Sequence, residues 1–148
     1  MVIGAKQLQH LFRRVAGLDI DKSDVKRLND FISKRLHALL IQGQVAASVN
    51  GRDIIDYQDI PITYGLQLAI RDFKEIDQEL AVATILEQLA KLPPLRKGLS
   101  KILEKKLPLL VGGITVSLAR IFKIVNSDVK NPASLEWEKV EEIYRVLL

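Results

Sequence analysis

The sequence contains no cysteine, which excludes disulfide bonds, thiolate metal sites and cysteine nucleophiles. Its amino terminus, MVIGAKQLQH, lacks the apolar run and cleavage site of a signal peptide, so we expect a cytoplasmic location. The longest uncharged run, residues 107–119, is shorter than the about 20 residues that cross a bilayer. That run predicts a buried helix segment, and we expect no membrane partner.

Residues that could support catalysis are few and scattered. His10 and His37 have no neighbouring residues at the spacing of a catalytic triad or a metal-ligand set. Asp53, Asp56 and Asp59 recur every third residue, whereas calcium loops place ligands at every second residue and end in a glutamate. Helix capping and ion pairing account for these aspartates. We therefore expect no enzyme activity, metal, cofactor or small-molecule substrate.

Nearly half of the chain is apolar, and these residues recur at helical spacing. A short first helix is predicted to end at Gly17, which can adopt a left-handed conformation. Asp21 and Asp24 have the spacing of a capping arrangement at the start of a second helix. The apolar period of this helix continues almost to Asn50, which gives a length of about 40 Å.

The stretch Asn50–Ile60 has the composition of an ordered loop. Gly51 tolerates a positive φ, and Ile54–Ile55 favours an extended conformation. Asp56 can cap a third helix, but Pro61 is unfavourable in a helix interior. The regular helix is therefore expected to begin a few residues later, after a tight turn.

The second half of the chain repeats this order of elements. A helix start is predicted at Asp77–Glu79, and Pro93–Pro94 ends that helix. Asn131–Pro132 then opens a turn before a last helix, and Leu135–Val140 resembles Ile55–Ile60.

A second long helix is predicted between these two short ones. It begins at Leu99 or Lys101 and continues to Val125, with Pro108 expected to kink it or to delay its regular start. Gly112–Gly113 lacks the lysine and the spacing of a phosphate loop. The glycine pair instead predicts a close crossing of the two long helices.

The order short helix, long helix, extended loop, short helix resembles the histone fold. Archaeal histones carry Ala-Gly near the end of the first helix, here Ala16-Gly17. They also carry Gly-Arg, an extended segment and Asp-Ile, here Gly51-Arg52 and Asp59-Ile60. The residues DIPITYGLQ and the appended second half resemble a bacterial double-histone-fold family of uncharacterised function.

This resemblance implies an all-α protein in which two tandem histone-fold halves form an intramolecular pseudodimer. Residues 1–148 would form one compact domain, with residues 1–75 as the first half and 76–148 as a divergent second half. The resemblance also implies a structural ion pair between Arg52 and Asp59. The second half cannot form the equivalent pair, because Pro132 and Lys139 occupy the corresponding positions.

The net charge is +4, and the basic residues are unevenly distributed. Several crowd between Lys91 and Lys106, a run that is either an ordinary solvated surface or a phosphate-binding surface. In a histone pair the first loop of one half lies beside the second loop of the other, so Arg52 would lie near this run. The candidate phosphate-binding residues are Arg52, Arg96, Lys97 and Lys101, with Arg13 and Arg14 on the first helix as additional contacts.

The opposite corner would combine aspartates with one lysine and repel phosphate. Its residues are Asp19, Asp21, Asp128 and Lys130. No aromatic residues are interleaved with the basic ones, so base stacking on single strands is not indicated.

Two functions remain open from the sequence. One is an architectural protein that binds double-stranded DNA weakly, through backbone contacts that are sensitive to salt and independent of sequence. The other is a protein-interaction or self-association module that uses the same fold without DNA. The modest net charge favours the second, and the basic corner favours the first.

Overall fold

The computed structural model describes residues 1–76 and 78–148. In this part of the chain the protein is predominantly helical, with 69% of residues in helix, which confirms an all-α protein. The elements in chain order are α1 (Ala5–Ala16), α2 (Lys22–Val49), β1 (Ile54–Ile55), a 3-10 turn (Tyr57–Asp59), α3 (Tyr64–Glu75), α4 (Val82–Leu89), β2 (Gly98–Leu99), α5 (Lys101–Val125) and α6 (Ser134–Leu147).

The boundary between α1 and α2 is where the sequence predicts it. Gly17 has a φ of 63°, and its N–H donates to the carbonyl of Arg13 at 2.9 Å. The Asp21 carboxylate accepts the backbone N–H of Asp24 at 3.0 Å, and the Asp24 carboxylate accepts that of Asp21. This reciprocal capping box fixes the first turn of α2.

The loop after α2 contains a tight turn before the next regular helix, as Pro61 predicts. Gly51 has a φ of 69°, and Asp56 caps the 3-10 turn rather than α3. The true cap of α3 is Thr63, whose hydroxyl oxygen accepts the N–H of Leu66 at 3.2 Å.

The start of α4 differs from its expected position. Asp77 lies outside the described residues, and the N–H of Gln78 donates to the carbonyl of Ile76. The helix begins only at Val82, after an extended Ala81 that provides no side-chain cap. A helix start at Gln78 or Glu79 is therefore wrong, because both residues precede α4.

Pro108 does not delay α5, which begins at Lys101 and contains the proline. The hydroxyl of Ser100 accepts the N–H of Leu103 at 3.0 Å and fixes the first turn. By length and composition α5 could cross a membrane, but core helices give the same signal. Most of residues 107–119 are buried against other helices, as predicted for this run.

Gly112 and Gly113 permit a close crossing, but the partner is α3 rather than the other long helix. A Cβ on Gly112 would overlap the ring of Phe73, and one on Gly113 would lie 2.5 Å from Cγ1 of Ile70. The predicted crossing of the two long helices at this pair is therefore wrong. Gly43 serves a similar purpose on α2, where a Cβ would meet Ile60 at 2.8 Å.

Loops are joined at both ends of α2. After its carboxyl end, β1 pairs in parallel with β2, so that Ile54 lies opposite Gly98. Before its amino end, the N–H of Asp19 donates to the carbonyl of Lys130 at 2.7 Å. Because α2 has 28 residues, about 40 Å separates the two junctions.

One hydrophobic cluster contains buried residues from all six helices of the described chain. At its centre Trp137 contacts Phe12 edge to face at 5.5 Å and Phe122 at 4.8 Å between ring centroids. Its indole N–H donates to the Asp24 carboxylate at 3.1 Å. The aromatic cluster therefore joins α1, α2, α5 and α6.

Candidate nucleic-acid interface

The parallel pairing of β1 and β2 brings two loops together, and we call residues 52–56 and 96–101 the paired-loop corner. Arg52 donates to both carboxylate oxygens of Asp59, at 2.7 and 2.5 Å, so the ion pair expected from the family resemblance is present. The N–H of Asp56 donates to the same carboxylate at 2.8 Å. These bonds lock the loop onto the 3-10 turn.

The Arg52–Asp59 pair predicts a pH-dependent stability. Hydrogen bonding from Arg52 holds the pKa of Asp59 below its ordinary value of 3.8. A lowered carboxyl pKa contributes stability above the unfolded-state pKa, and this contribution is lost as pH falls through the folded-state value. Arg52→Gln is therefore expected to lower the urea midpoint at neutral pH, with a difference from the parent that shrinks below about pH 4.

Arg14→Gln is the matched control, because Arg14 is an exposed arginine on α1. It should leave the midpoint nearly unchanged at every pH. Urea titrations of the three proteins from acid to neutral pH provide the measurement. A deficit of Arg52→Gln that stays the same in acid would contradict a role through Asp59.

Arg96 and Lys97 lie at the corner, and Gln44 of α2 fixes their backbone. The Gln44 side-chain carbonyl accepts the N–H groups of both residues, at 2.7 and 3.0 Å. The sequence offers no signal for this role, because Gln44 is one of several polar residues on a long helix. It becomes recognisable only when the distant loop is placed beside α2.

The basic side chains of the corner differ in accessibility. Lys97 is only 19% exposed and lies 3.5 Å from the Asp53 carboxylate. Arg52 is already held by Asp59, whereas Arg96 and Lys101 are exposed. Arg96 and Lys101 are therefore the stronger candidates for phosphate contacts.

Acidic residues offset much of the positive charge at this corner. Asp53 and Asp59 pair with Lys97 and Arg52, and Asp56 accepts the hydroxyl of Ser100 at 2.9 Å. The corner therefore carries a small positive excess rather than a strong field.

Arg13 and Arg14 are not brought to the paired-loop corner. Arg13 lies 2.8 Å from Asp19, which precedes α2, at the other end of that helix from Arg52. Asp19 and Lys130 meet through their backbones there, as expected for the opposite corner. The carboxylate of Asp21 is engaged in capping, and its pKa is lowered mainly by a hydrogen bond from Ser23.

The described residues contain no group of three or more histidine, aspartate or glutamate side chains able to hold a metal ion. The spaced aspartates instead serve as caps and ion-pair partners. His37 lies with Nε2 2.8 Å from the carbonyl of Pro93, so it helps to place the loop that leads to the corner.

An exposed apolar area lies at the other end of α5. We call it the α5–α6 surface, and it comprises large side chains near the carboxyl end of α5 and along α6. Val146 is 78% exposed and Ile124 is 83% exposed. Its residues are Ile124, Val125, Leu135, Ile143, Val146 and Leu147, with Lys139 and Glu142 beside them.

Comparisons with a family model and with known proteins all find uncharacterised relatives of this chain. The model described as "Domain of unknown function (DUF1931)" matches residues 8–145. Two Aquifex aeolicus proteins, each named "Uncharacterized protein", are 27% and 32% identical. The matches cover 95% and 83% of this chain and 81% and 79% of those proteins.

Two crystal structures resemble the whole chain. One, from Thermus thermophilus, is 37% identical with a TM-score of 0.97 and full coverage of both chains. The other, from Aquifex aeolicus, is 25% identical with a TM-score of 0.83, covering 99% of this chain and 97% of its own. The whole helical arrangement is therefore shared with these proteins.

Proposed function

We propose that this chain, which belongs to the DUF1931 family, is a non-enzymatic, histone-like protein that binds the backbone of double-stranded DNA. The observation that carries the proposal is the joining of the Arg52 loop to Arg96 and Lys101 through β1 and β2. Two exposed cations beside a rigid loop suit phosphate contacts, which carry no sequence information.

The histone-like part of the proposal is supported by the two loop junctions. The loop after α2 joins the segment before α5, and the segment before α2 joins the loop after α5. A two-fold relation between two similar halves produces this reciprocal arrangement. We propose that the halves are residues 1–75 and 76–148 and that they form a pseudodimer within one chain.

Binding to DNA is expected to be weak, because the corner retains only a small positive excess. Each phosphate contact contributes to a linear fall of log affinity with log salt, with a slope of about 0.9 per contact. Arg96→Gln/Lys101→Gln is expected to weaken binding to a random-sequence duplex and to reduce the salt slope by up to about 2. Fluorescence anisotropy at several salt concentrations measures both quantities.

Lys26→Gln/Lys34→Gln is the matched control, because it removes the same net charge from exposed positions on α2. This variant should bind like the parent if the corner is the contact. Equal losses in both variants would show that only net charge matters, and would overturn the corner as the site. Absence of binding by the parent at low salt would reject DNA as the partner.

A second candidate function is protein interaction or self-association without DNA. The α5–α6 surface favours it, because Val125, Val146 and Leu147 are exposed and line one cleft, and exposed apolar patches are typical of interaction sites. The small positive excess of the paired-loop corner is compatible with this function too. Sedimentation of the parent over a range of concentrations tests self-association independently of DNA.

A further inference from the structure

Helix α6 exposes a regular stripe on the side away from the core. Leu135, Lys139, Glu142 and Val146 are all exposed and follow the spacing i, i+4, i+7, i+11. This is the alternating spacing of a coiled-coil seam. The buried side of the same helix consists of Trp137, Val140, Glu141 and Tyr144.

The stripe is self-complementary when two copies of α6 run antiparallel. A two-fold axis passing between Val140 and Glu141 would place Lys139 opposite Glu142 of the second copy. The same axis would place Leu135 opposite Val146 of the second copy. Each of the two outer layers of the seam then pairs Leu135 with Val146. Each of the two central layers pairs Lys139 with Glu142. An isologous interface requires this kind of self-complementarity.

We propose that the chain forms a dimer through antiparallel packing of α6 on α6, with the Lys139–Glu142 pairs of the two copies fixing its register. The proposal deepens the second candidate function, since it names the partner as a second copy and the surface as α6. In the described part of the chain, neither Lys139 nor Glu142 belongs to an ion pair with its own chain. Both charges are therefore available to a partner.

The neighbouring apolar side chains enlarge the contact beyond the stripe. Val125, Ile143 and Leu147 line a cleft with Val146, and Ile124 is exposed in the last turn of α5. The seam itself is short and has charged central layers, which contribute less than apolar layers do. The dimer is therefore expected to be weak, with a dissociation constant on the order of micromolar.

Charge reversal tests the register directly. Lys139→Glu places glutamates opposite one another in its own dimer, and Glu142→Lys does the same with lysines. Each variant alone is expected to weaken dimerisation about tenfold. An equimolar mixture of the two should dimerise as well as the parent, because each central pair of the mixed dimer joins a glutamate of one variant to a lysine of the other. The double variant should also recover. Sedimentation velocity over a concentration series gives each dissociation constant.

Glu87→Lys is the control, because Glu87 is an exposed acid on α4, far from the stripe in sequence. It should dimerise like the parent. A parent that remains monomeric up to about 1 mM would overturn the dimer. Weakening by Val146→Asp, with no effect of the charge reversals, would overturn the register.

The test of dimerisation is independent of the test of DNA binding. The stripe shares no residue with the paired-loop corner, so Arg96→Gln/Lys101→Gln should leave the dimer unchanged. Conversely, loss of dimerisation in Lys139→Glu with restoration in the double variant would support the dimer whether or not DNA is bound.

Discussion

Replacing Trp137 by alanine is expected to lower the free energy of unfolding by about 3–5 kcal/mol. Trp137 is fully buried and contacts aromatic rings from α1 and α5, so its removal leaves a cavity where several helices meet. Its loss also deprives the Asp24 carboxylate of the indole donor. Urea unfolding followed by circular dichroism measures the change.

Two further variants test the cause of this loss of stability: one is a control at an exposed aromatic residue, and the other separates ring volume from hydrogen bonding. Tyr64→Ala removes an aromatic side chain that is 75% exposed, and should change stability by less than about 0.5 kcal/mol. Trp137→Phe keeps most of the ring volume but removes the indole N–H. It should fall between the parent and Trp137→Ala. Equal effects of the alanine substitutions at Trp137 and Tyr64 would contradict the central role of Trp137.

The Trp137→Phe variant has a further pH signature. Burial raises the pKa of Asp24 above its ordinary value of 3.8. A carboxyl group whose pKa is higher in the folded state than in the unfolded state lowers stability as pH rises above the unfolded-state value. Loss of the indole donor raises the folded-state pKa further. The loss of stability in Trp137→Phe should therefore be larger at neutral pH than in acid. Arg52→Gln shows the same pH trend for a different reason, the loss of the ion pair with Asp59.

Replacing Gly112 by valine is expected to destabilise the protein by about 3 kcal/mol, the upper end of the usual range for overpacking. A Cβ at this position would overlap the Phe73 ring, so α3 and α5 must separate or Phe73 must leave its site. The glycine's unfavourable helix propensity is thus outweighed by the close approach that it permits. Thermal and urea unfolding report the loss.

Gly98→Val is the matched control, because a Cβ there meets nothing within 4 Å. Its effect should stay within about 0.5 kcal/mol. Combining Gly112→Val with Phe73→Ala should cost less than the sum of the two single changes, because the alanine removes the atoms that clash. Additive losses would show that the crossing at Phe73 does not explain the glycine.

Local rules predicted the ends of several elements from neighbouring residues alone. Gly17, the Asp21–Asp24 box and the turn before α3 are where the sequence places them. Each depends on the conformational preference of one residue or on a bond over three residues. Such interactions act within one turn of backbone and need no knowledge of the rest of the fold.

Local rules failed where distant packing decides. Asp77 and Glu79 resemble the acidic residues of a helix start, yet α4 begins at Val82. The same rules left open whether Pro108 kinks α5 or delays its start, and α5 begins at Lys101 and contains the proline. The burial of α5 around this position supports the helix on both sides, which the residues near Pro108 do not reveal.

The candidate sites divide in the same way. The Arg52–Asp59 pair joins residues of one loop, so a resemblance based on that loop could name both partners. The sequence could not reveal that Lys97 is held by Asp53, or that Gln44 fixes the backbone of Arg96. These contacts join residues far apart in the chain, and only the position of the β2 segment creates them.

The sequence by itself determined a helical protein with a capped long helix and an ordered Asn50–Ile60 loop, because helical periodicity and capping are local properties. Only the tertiary structure decided which cations remain exposed at the corner, which helix meets Gly112 and which face of α6 is left uncovered. These outcomes depend on how helices pack against one another. Packing of the helices buries or pairs some charged and apolar side chains and leaves others accessible to solvent.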